Sequence, residues 1–438
     1  MTNPIHFTTP DEAVKVIKSG DHVHLSSVAS APQCLINAMC RRGEAGELKN
    51  VHIHHLHTEG PAPYADPKFE GVFQLDSFFV GSNVRKVTQS GDADYIPVFL
   101  SETQKLYRCG AVPCNVAMIQ VCPPDKHGYV SLGTSVDATL AAVECADYVI
   151  AVVNKHVPRA FGQAMIPMSK IDLFVEDDTP LIEAKFSEPN EVEKAIGRHC
   201  AALIEDGATL QMGIGAIPNA VLSQLGNHKN LGVHTEMFAD GVLPLVAKGV
   251  INGEAKKTDP GKMVSTFLMG SQAVYDFIDD NPGVLMMDVG YTNDPYVISQ
   301  NDNFVAINSA LQIDLTGQVC ADSLGTKFWS GAGGQIDFVY GASLSKGGKA
   351  IIAMPAITNK GVSKICPTLL DGAGVVTTRF HVHWVVTEFG AVDLYGKSMQ
   401  ERARLLISIA HPSAQEELDR AAFERWGSHH HYIKSYMG

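Results

Sequence analysis

Two stretches of this chain run through the same succession of signals, and that repetition limits the fold more than any other feature. The first opens with Thr9-Pro10-Asp11-Glu12, which has the form of a helix start: a hydroxyl cap, Pro at the first helical position and a Glu able to reach back. Ala13, Val14, Val16 and Ile17 lead on to Gly20, then to the strand-like His22-Val23-His24-Leu25 and a turn of small residues ending in Pro32. The second opens at Asn190, with Glu193 three residues on and Val192, Ala195, Ile196, His199 and Leu203 at helical spacing. Gly207, the strand Thr209-Leu210-Gln211-Met212 and a turn ending in Pro218 follow. Ile17-Lys18-Ser19-Gly20 aligns with Ile204-Glu205-Asp206-Gly207, and Lys49-Asn50-Val51 then falls near Lys229-Asn230-Leu231. Between these stretches, short β-branched runs at 115–121, 148–153 and 349–354 alternate with helical patterns, the mark of parallel sheets flanked by helices. The expected fold class is α/β: two duplicated, open, mainly parallel domains, 1–188 and 189–438, divided at Ser187-Glu188-Pro189. Ligands of such sheets bind beyond the carboxyl ends of the strands, which places the site in the cleft between the domains.

Composition narrows the remaining choices. With 438 residues, two or three domains are expected, and 45% hydrophobic against 18% charged residues describes a globular protein. Apolar runs such as Tyr148 to Val153 fall far short of the roughly 20 residues that cross a bilayer. Nothing in Met1-Thr2-Asn3-Pro4-Ile5-His6 reads as a signal peptide, so a cytoplasmic location is expected. A formal charge of −13 opposes attraction to nucleic acid or an anionic membrane, so an anionic ligand needs local donors. Nine cysteines without a CxxC pair point to reduced thiols. His52, His54, His55 and His57 raise a metal question, but Val51-His52-Ile53-His54 fits a strand and no neighbouring spacing completes a site, so no metal is expected. The terminal His429-His430-His431 run reads as a solvated tail.

The residues suited to chemistry gather around glycine-rich turns. Glu236 follows the strand-like Leu231-Gly232-Val233-His234, and a polar residue at a strand end faces the cleft in this architecture. Glu59, in His57-Thr58-Glu59-Gly60 of the other repeat, competes with it, and the residues alone leave both open. Gly213-Ile214-Gly215-Ala216-Ile217-Pro218 lacks the third glycine of a dinucleotide fingerprint. The helical look of Asn219 to Leu222 makes it the N-terminus of a helix, suited to an anion or a developing oxyanion. Gly331-Ala332-Gly333-Gly334-Gln335-Ile336-Asp337-Phe338 holds three glycines in four residues and is expected to lead into an alternating strand. Lys360 after the strand-like 351–355, Asn293 in Thr292-Asn293-Asp294-Pro295 and Glu388 in Val386-Thr387-Glu388-Phe389 have ordinary alternatives: a surface lysine, a turn cap and an exposed strand end.

One carboxylate between two glycine turns, in this order, resembles the class I coenzyme A transferases of the acetyl-CoA hydrolase/transferase family, over nearly the whole chain from Asp11 to about Phe423. Within that family the chain looks most like the 4-hydroxybutyrate CoA-transferases. The resemblance favours Glu236 over Glu59 as nucleophile, because Thr235-Glu236-Met237 matches the family's (Ser/Thr)-Glu-(hydrophobic) turn. It implies that Gly213, Ile214, Gly215, Ala216 and Ile217 lie along CoA, with the Ile214 amide facing the thioester oxygen. It likewise implies that Gly333, Gly334 and Gln335 contact CoA, with the Gly334 amide as second donor, that Lys360 meets a CoA phosphate, and that Asn293 and Glu388 orient the nucleophile or the substrate.

The activity so implied is transfer of CoA between acetyl-CoA and a short-chain carboxylate, 4-hydroxybutyrate first and butyrate or propionate next. Coenzyme A is a substrate carried covalently on Glu236, and no permanent cofactor is required. A Glu with an ordinary pKa of about 4.3 is ionised near neutrality and attacks the thioester carbonyl. The resulting anhydride yields a γ-glutamyl-CoA thioester, and the incoming acid reverses the steps. Water as acceptor would make the same site a hydrolase, and an inert ligand-sensing scaffold is the non-enzymatic alternative. Parts of Gln120 to Pro124 and Met237 are expected to line the acyl pocket, in a homodimer or larger homo-oligomer.

Overall fold

The computed structural model describes residues 5–427, so the His429–His431 run lies outside the described residues. Its first half builds an eight-stranded sheet in the spatial order Phe7–Thr8, Leu173–Glu176, Tyr148–Val153, Val116–Val121, His22–Leu25, Val51–His54, Phe73–Ser77 and Asp94–Tyr95, with every neighbouring pair parallel. The second half builds a six-stranded sheet in the order Gly232–Val233, Thr209–Met212, Phe304–Asn308, Lys349–Ala353, Trp384–Thr387 and Gly390–Asp393. Only its last pair, the edge hairpin, is antiparallel. Central strands covered on both faces need continuous apolar runs, and Val116–Val121 is buried at all six positions.

The repetition is visible in the backbone. Gly20 donates to Lys49 O at 3.0 Å and Gly207 to Lys229 O at 2.9 Å; the Lys49 amide meets Ser19 Oγ and the Lys229 amide meets Asp206 Oδ1, both at 2.9 Å. Asn50 and Asn230 both take positive φ, 52° and 56°, a conformation Asn tolerates. The repeats part company at the turns that follow the strands. Where the second has Gly215 at φ 110°, the first has Val28 at φ 46°, whose N–H bonds His57 O at 2.6 Å and whose carbonyl accepts from Glu59 N at 3.2 Å. The first turn is thereby zipped onto the segment carrying Glu59.

The halves interlock: Phe161–Gly162 of the first pairs with Val284–Met286 of the second, and the Leu268 amide bonds Thr134 O at 3.0 Å. The histidines of the first sheet are used internally. His22, His52 and His54 stack in near-parallel planes, His22 Nδ1 shares a proton with His54 Nε2 at 2.8 Å, and His52 Nδ1 meets Asp76 at 2.6 Å. The nine cysteines are free thiols. Among the described residues no helix is long and apolar enough to cross a membrane.

Candidate active site

Gly232–Val233 is a buried strand beside Thr209–Met212, and the chain leaves it through His234 and Thr235 before reaching Glu236. The Thr235 hydroxyl ties this exit to its neighbour: it accepts from the Met212 amide at 3.3 Å and lies 2.9 Å from both Met212 O and Met237 O, donating its one proton to either. The Glu236 carbonyl accepts from the Thr266 and Phe267 amides and from Ser265 Oγ, at 3.1, 3.2 and 2.9 Å. Its main chain is therefore fixed on both sides while the carboxylate projects. Two residues earlier, the buried imidazole of His234 donates through Nε2 to Thr292 O at 2.8 Å; burial pushes its pKa down to about 3, so the ring is neutral. That bond sets the turn bearing Asn293 against the segment bearing Glu236.

Asn293 Nδ2 donates to Glu236 Oε2 at 3.0 Å, and the Gly334 N–H faces the same carboxylate. Burial pushes the Glu236 pKa up to about 7, and the negative Asp337 adds to the rise, against the stabilising hydrogen bonds from Asn293 and Gly334. A carboxylate this basic is a stronger nucleophile than an exposed one whenever it is ionised.

The glycine loop at 331–334 does not run into an alternating strand, as the sequence suggested; Gly334 caps the helix Gln335–Leu344. Gln-Ile-Asp-Phe-Val-Tyr alternates over its first four residues, but burial does not: Gln335, Asp337, Phe338, Val339, Gly341 and Ala342 are all buried, three of them consecutive, as on a helix covered over most of its surface. The loop is held from the other half. Ala332 N–H donates to the Tyr95 hydroxyl at 3.3 Å, Leu100 N–H to Gly333 O at 3.1 Å, and Ser101 binds Asp337 through both its amide and its hydroxyl, at 3.1 and 2.8 Å.

The other expected residues are distributed as follows. Gly213, Ile214 and Gly215 form the turn before the helix Ala216–Gln224, which Ala216 and Ile217 begin, all partly buried. Gln335 is buried with both ends of its amide in use, its nitrogen on Ser309 O at 2.7 Å and its oxygen on Thr377 Oγ1 at 2.9 Å, so contact with a ligand falls to its backbone. Lys360 is exposed in the turn 358–362. Glu388 accepts from the Ala356 amide at 2.8 Å and faces Lys364, whose pKa burial pushes down to about 8. Glu236 therefore has Asn293, Gly334 and Asp337 around it, whereas Glu388 is tied to another part of the sheet edge. Glu59 is paired with His57 at 2.8 Å. Gln120, expected near the acyl pocket, is buried against Asn154 at 2.9 Å, and Met237 is partly buried. Sequence reasoning missed Asp337 and Lys364. Asp337 was recoverable: three residues after Gly334, it shares that residue's face once the segment is read as a helix.

The family models for the acetyl-CoA hydrolase/transferase N-terminal and C-terminal domains match residues 4–183 and 270–422. The chain is 50% identical over 418 residues to a succinyl-CoA:acetate/propanoyl-CoA:succinate CoA transferase of Fasciola hepatica, covering 95% of this chain and 87% of the relative. It is 48% identical over 411 residues to a 4-hydroxybutyrate coenzyme A transferase of Clostridium kluyveri, covering 94% and 95%. A crystal structure of a 4-hydroxybutyrate CoA-transferase from Porphyromonas gingivalis superposes with a TM-score of 0.83 at 38% identity, covering 96% of this chain and 98% of that one.

Proposed function

The chain belongs to the acetyl-CoA hydrolase/transferase family and is a CoA-transferase, and from that premise we propose that it exchanges CoA between acetyl-CoA and a short-chain carboxylate, foremost 4-hydroxybutyrate, through a thioester on Glu236. The observation that carries the proposal is the carboxylate of Glu236 itself, bracketed by the Asn293 amide and the Gly334 N–H on a main chain fixed from both sides.

Ionised Glu236 attacks the acetyl thioester carbonyl, giving an acetyl-glutamyl anhydride and CoA thiolate. The thiolate attacks the glutamyl carbonyl, acetate departs with one glutamyl oxygen, and CoA remains on Glu236. Negative charge develops on the glutamyl oxygen in this step, where the Asn293 and Gly334 donors already stand; one such donor is worth roughly 3–4 kcal/mol in well-studied hydrolases. The first glycine turn suits the thioester. Gly215 needs glycine for its φ of 110°, but at Gly213 neither a positive φ nor any protein atom within 4 Å excludes a side chain. Close approach of a ligand to the backbone explains the second glycine, with the Ile214 amide between them as the donor to the thioester oxygen. Lys360, exposed in the turn 358–362, supplies a cation for a CoA phosphate.

Water is the competing acceptor. The sequence offered no base near Glu236 except Glu388, and the structure adds Asp337. Both Asp337 oxygens are occupied by Ser101 and Asn293, which argues against its activating water. The Fasciola hepatica relative favours a second acceptor class, succinate with propanoyl-CoA. Release of free thiol from acetyl-CoA, with and without 4-hydroxybutyrate, butyrate, propionate or succinate, tests both points. Formation of the new acyl-CoA far faster than thiol release is expected. Rapid release indifferent to every acid would make the protein a hydrolase, and preference for succinate would reassign the acceptor.

A further inference from the structure

Asn293 presents both hydrogens of its amide nitrogen to carboxylates, one to Glu236 at 3.0 Å and one to Asp337 at 3.4 Å, while its carbonyl oxygen is buried without a partner. Two carboxylates on one atom identify it as the nitrogen, because a carbonyl there would meet lone pairs on both sides. Asp337 is in turn held by Ser101, 236 positions earlier in the chain, through one oxygen to the hydroxyl and one to the amide. An unbroken chain of hydrogen bonds thus runs from the first half through Ser101, Asp337 and Asn293 to Glu236.

Building on Glu236 as the nucleophile, we propose that Asp337 is a positioning residue with two effects: it locks the Asn293 amide onto the nucleophile, and its charge drives Glu236 toward the thioester state. The charge around Asp337 changes with the reaction. Glu236 carboxylate plus acyl-CoA becomes glutamyl-CoA plus the free carboxylate: the donor C–S bond breaks, a C–S bond to Glu236 forms, and one glutamyl oxygen leaves in the released carboxylate, which carries the negative charge away. Before this step Asp337 faces an ionised neighbour; afterwards it faces a neutral thioester. The ionisable groups acting on the pair are Glu236, Asp337 and Glu102, all acidic, so the repulsion relieved is not cancelled among them. Burial, with Glu102 adding to it, holds Asp337 above the ordinary carboxylate range, at about 6, so it carries charge through the neutral region.

The test uses the full-length enzyme and its Asp337→Asn, Asp337→Glu, Ser101→Ala and Glu236→Ala variants. Intact mass across a series of acetyl-CoA to acetate ratios gives the fraction carrying CoA, and rapid quenching gives its rate of formation against pH. Asp337→Asn should lower the equilibrium constant for the covalent state about tenfold and move the acid limb of the rate profile to lower pH, because Glu236 then ionises more easily. Asp337→Glu, which keeps the charge and disturbs the geometry, should slow formation without moving the limb. Ser101→Ala should slow it in the same manner. A merely structural Asp337 would slow the reaction equally at all pH values, and an unmoved limb with an unmoved equilibrium in Asp337→Asn overturns the proposal. If Asp337→Asn does not fold, a Ser101→Ala enzyme with unchanged rate at every pH overturns it as well. Covalent CoA persisting in Glu236→Ala would instead sink the nucleophile on which the proposal rests.

Discussion

Gly334 lies so close to Glu236 that residue 334 has no room for a side chain: a Cβ would overlap the Glu236 carboxylate and the Asn293 amide together. Its backbone, at φ −95° and ψ 13°, lies in a region open to any L-residue, so this glycine serves space and not conformation. Gly333 beside it is the reverse case. It turns the chain at φ 59°, and an added Cβ would meet only Phe79, at 3.6 Å.

Substitution should separate these two roles. Gly334→Ala is expected to lower kcat on the order of a hundredfold, by displacing the carboxylate about 1 Å, while changing Tm little. Gly333→Ala should cost about 1 kcal/mol of stability with the smaller effect on rate. Thermal melts alongside acetyl-CoA turnover decide it, and equal loss of folding in Gly334→Ala would make that glycine structural.

The raised pKa of Glu236 predicts a pH dependence. In the proposed mechanism only the ionised form attacks, so kcat/KM should climb with pH through about 7 and then level off, well above the limb of an ordinary glutamate. A kcat/KM already flat from about pH 5 would mean that the resting site keeps the carboxylate ionised.

The same shift predicts a stability effect of defined sign. A carboxyl whose folded pKa lies above its unfolded value is protonated more in the folded state, so its contribution is favourable or neutral at low pH and becomes a cost as pH rises from about 4.3 toward 7. Glu236→Gln should therefore be more stable than wild type by roughly 1–3 kcal/mol at about pH 8, with the gain fading to nothing near pH 4. The buried histidines His24, His54, His55 and His234, all held well below their usual range, act in the opposite sense by favouring unfolding as pH falls below about 6.5. Comparison of variant and wild type at each pH removes their contribution, and chemical denaturation at three pH values measures what remains.

Glu59 is paired with His57, and its amide is tied to Val28. Glu59→Ala should keep most of the exchange activity and still acquire covalent CoA on the peptide from His234 to Asp240, whereas Glu236→Ala should do neither. Peptide mass analysis after incubation with acetyl-CoA alone reads both; CoA on a cysteine, or on Glu59, would refute the assignment.

The sequence by itself determined the scaffold, because the signals that build it are local. Helix caps at Thr9 and Asn190, glycines at 20 and 207 and β-branched strands act within a few residues, so the repeat and the strands His22–Leu25, Tyr148–Val153 and Thr209–Met212 were legible before any coordinates. Glu236 and the two glycine turns were legible as candidates, though preferring Glu236 to Glu59 needed the family resemblance. The tertiary structure decided what depends on distant partners. The segment after Gly334 alternates apolar and polar residues over four positions, and only burial of Phe338 and Val339 in the second core makes it a helix and turns Asp337 toward Asn293. Ser101 reaches Asp337 across 236 residues of chain, and the Glu236 pKa rises because burial and Asp337, 101 positions further on, act on its carboxylate. Neither relationship leaves a trace in local spacing, since burial and charge proximity exist only once segments far apart in the chain are packed together.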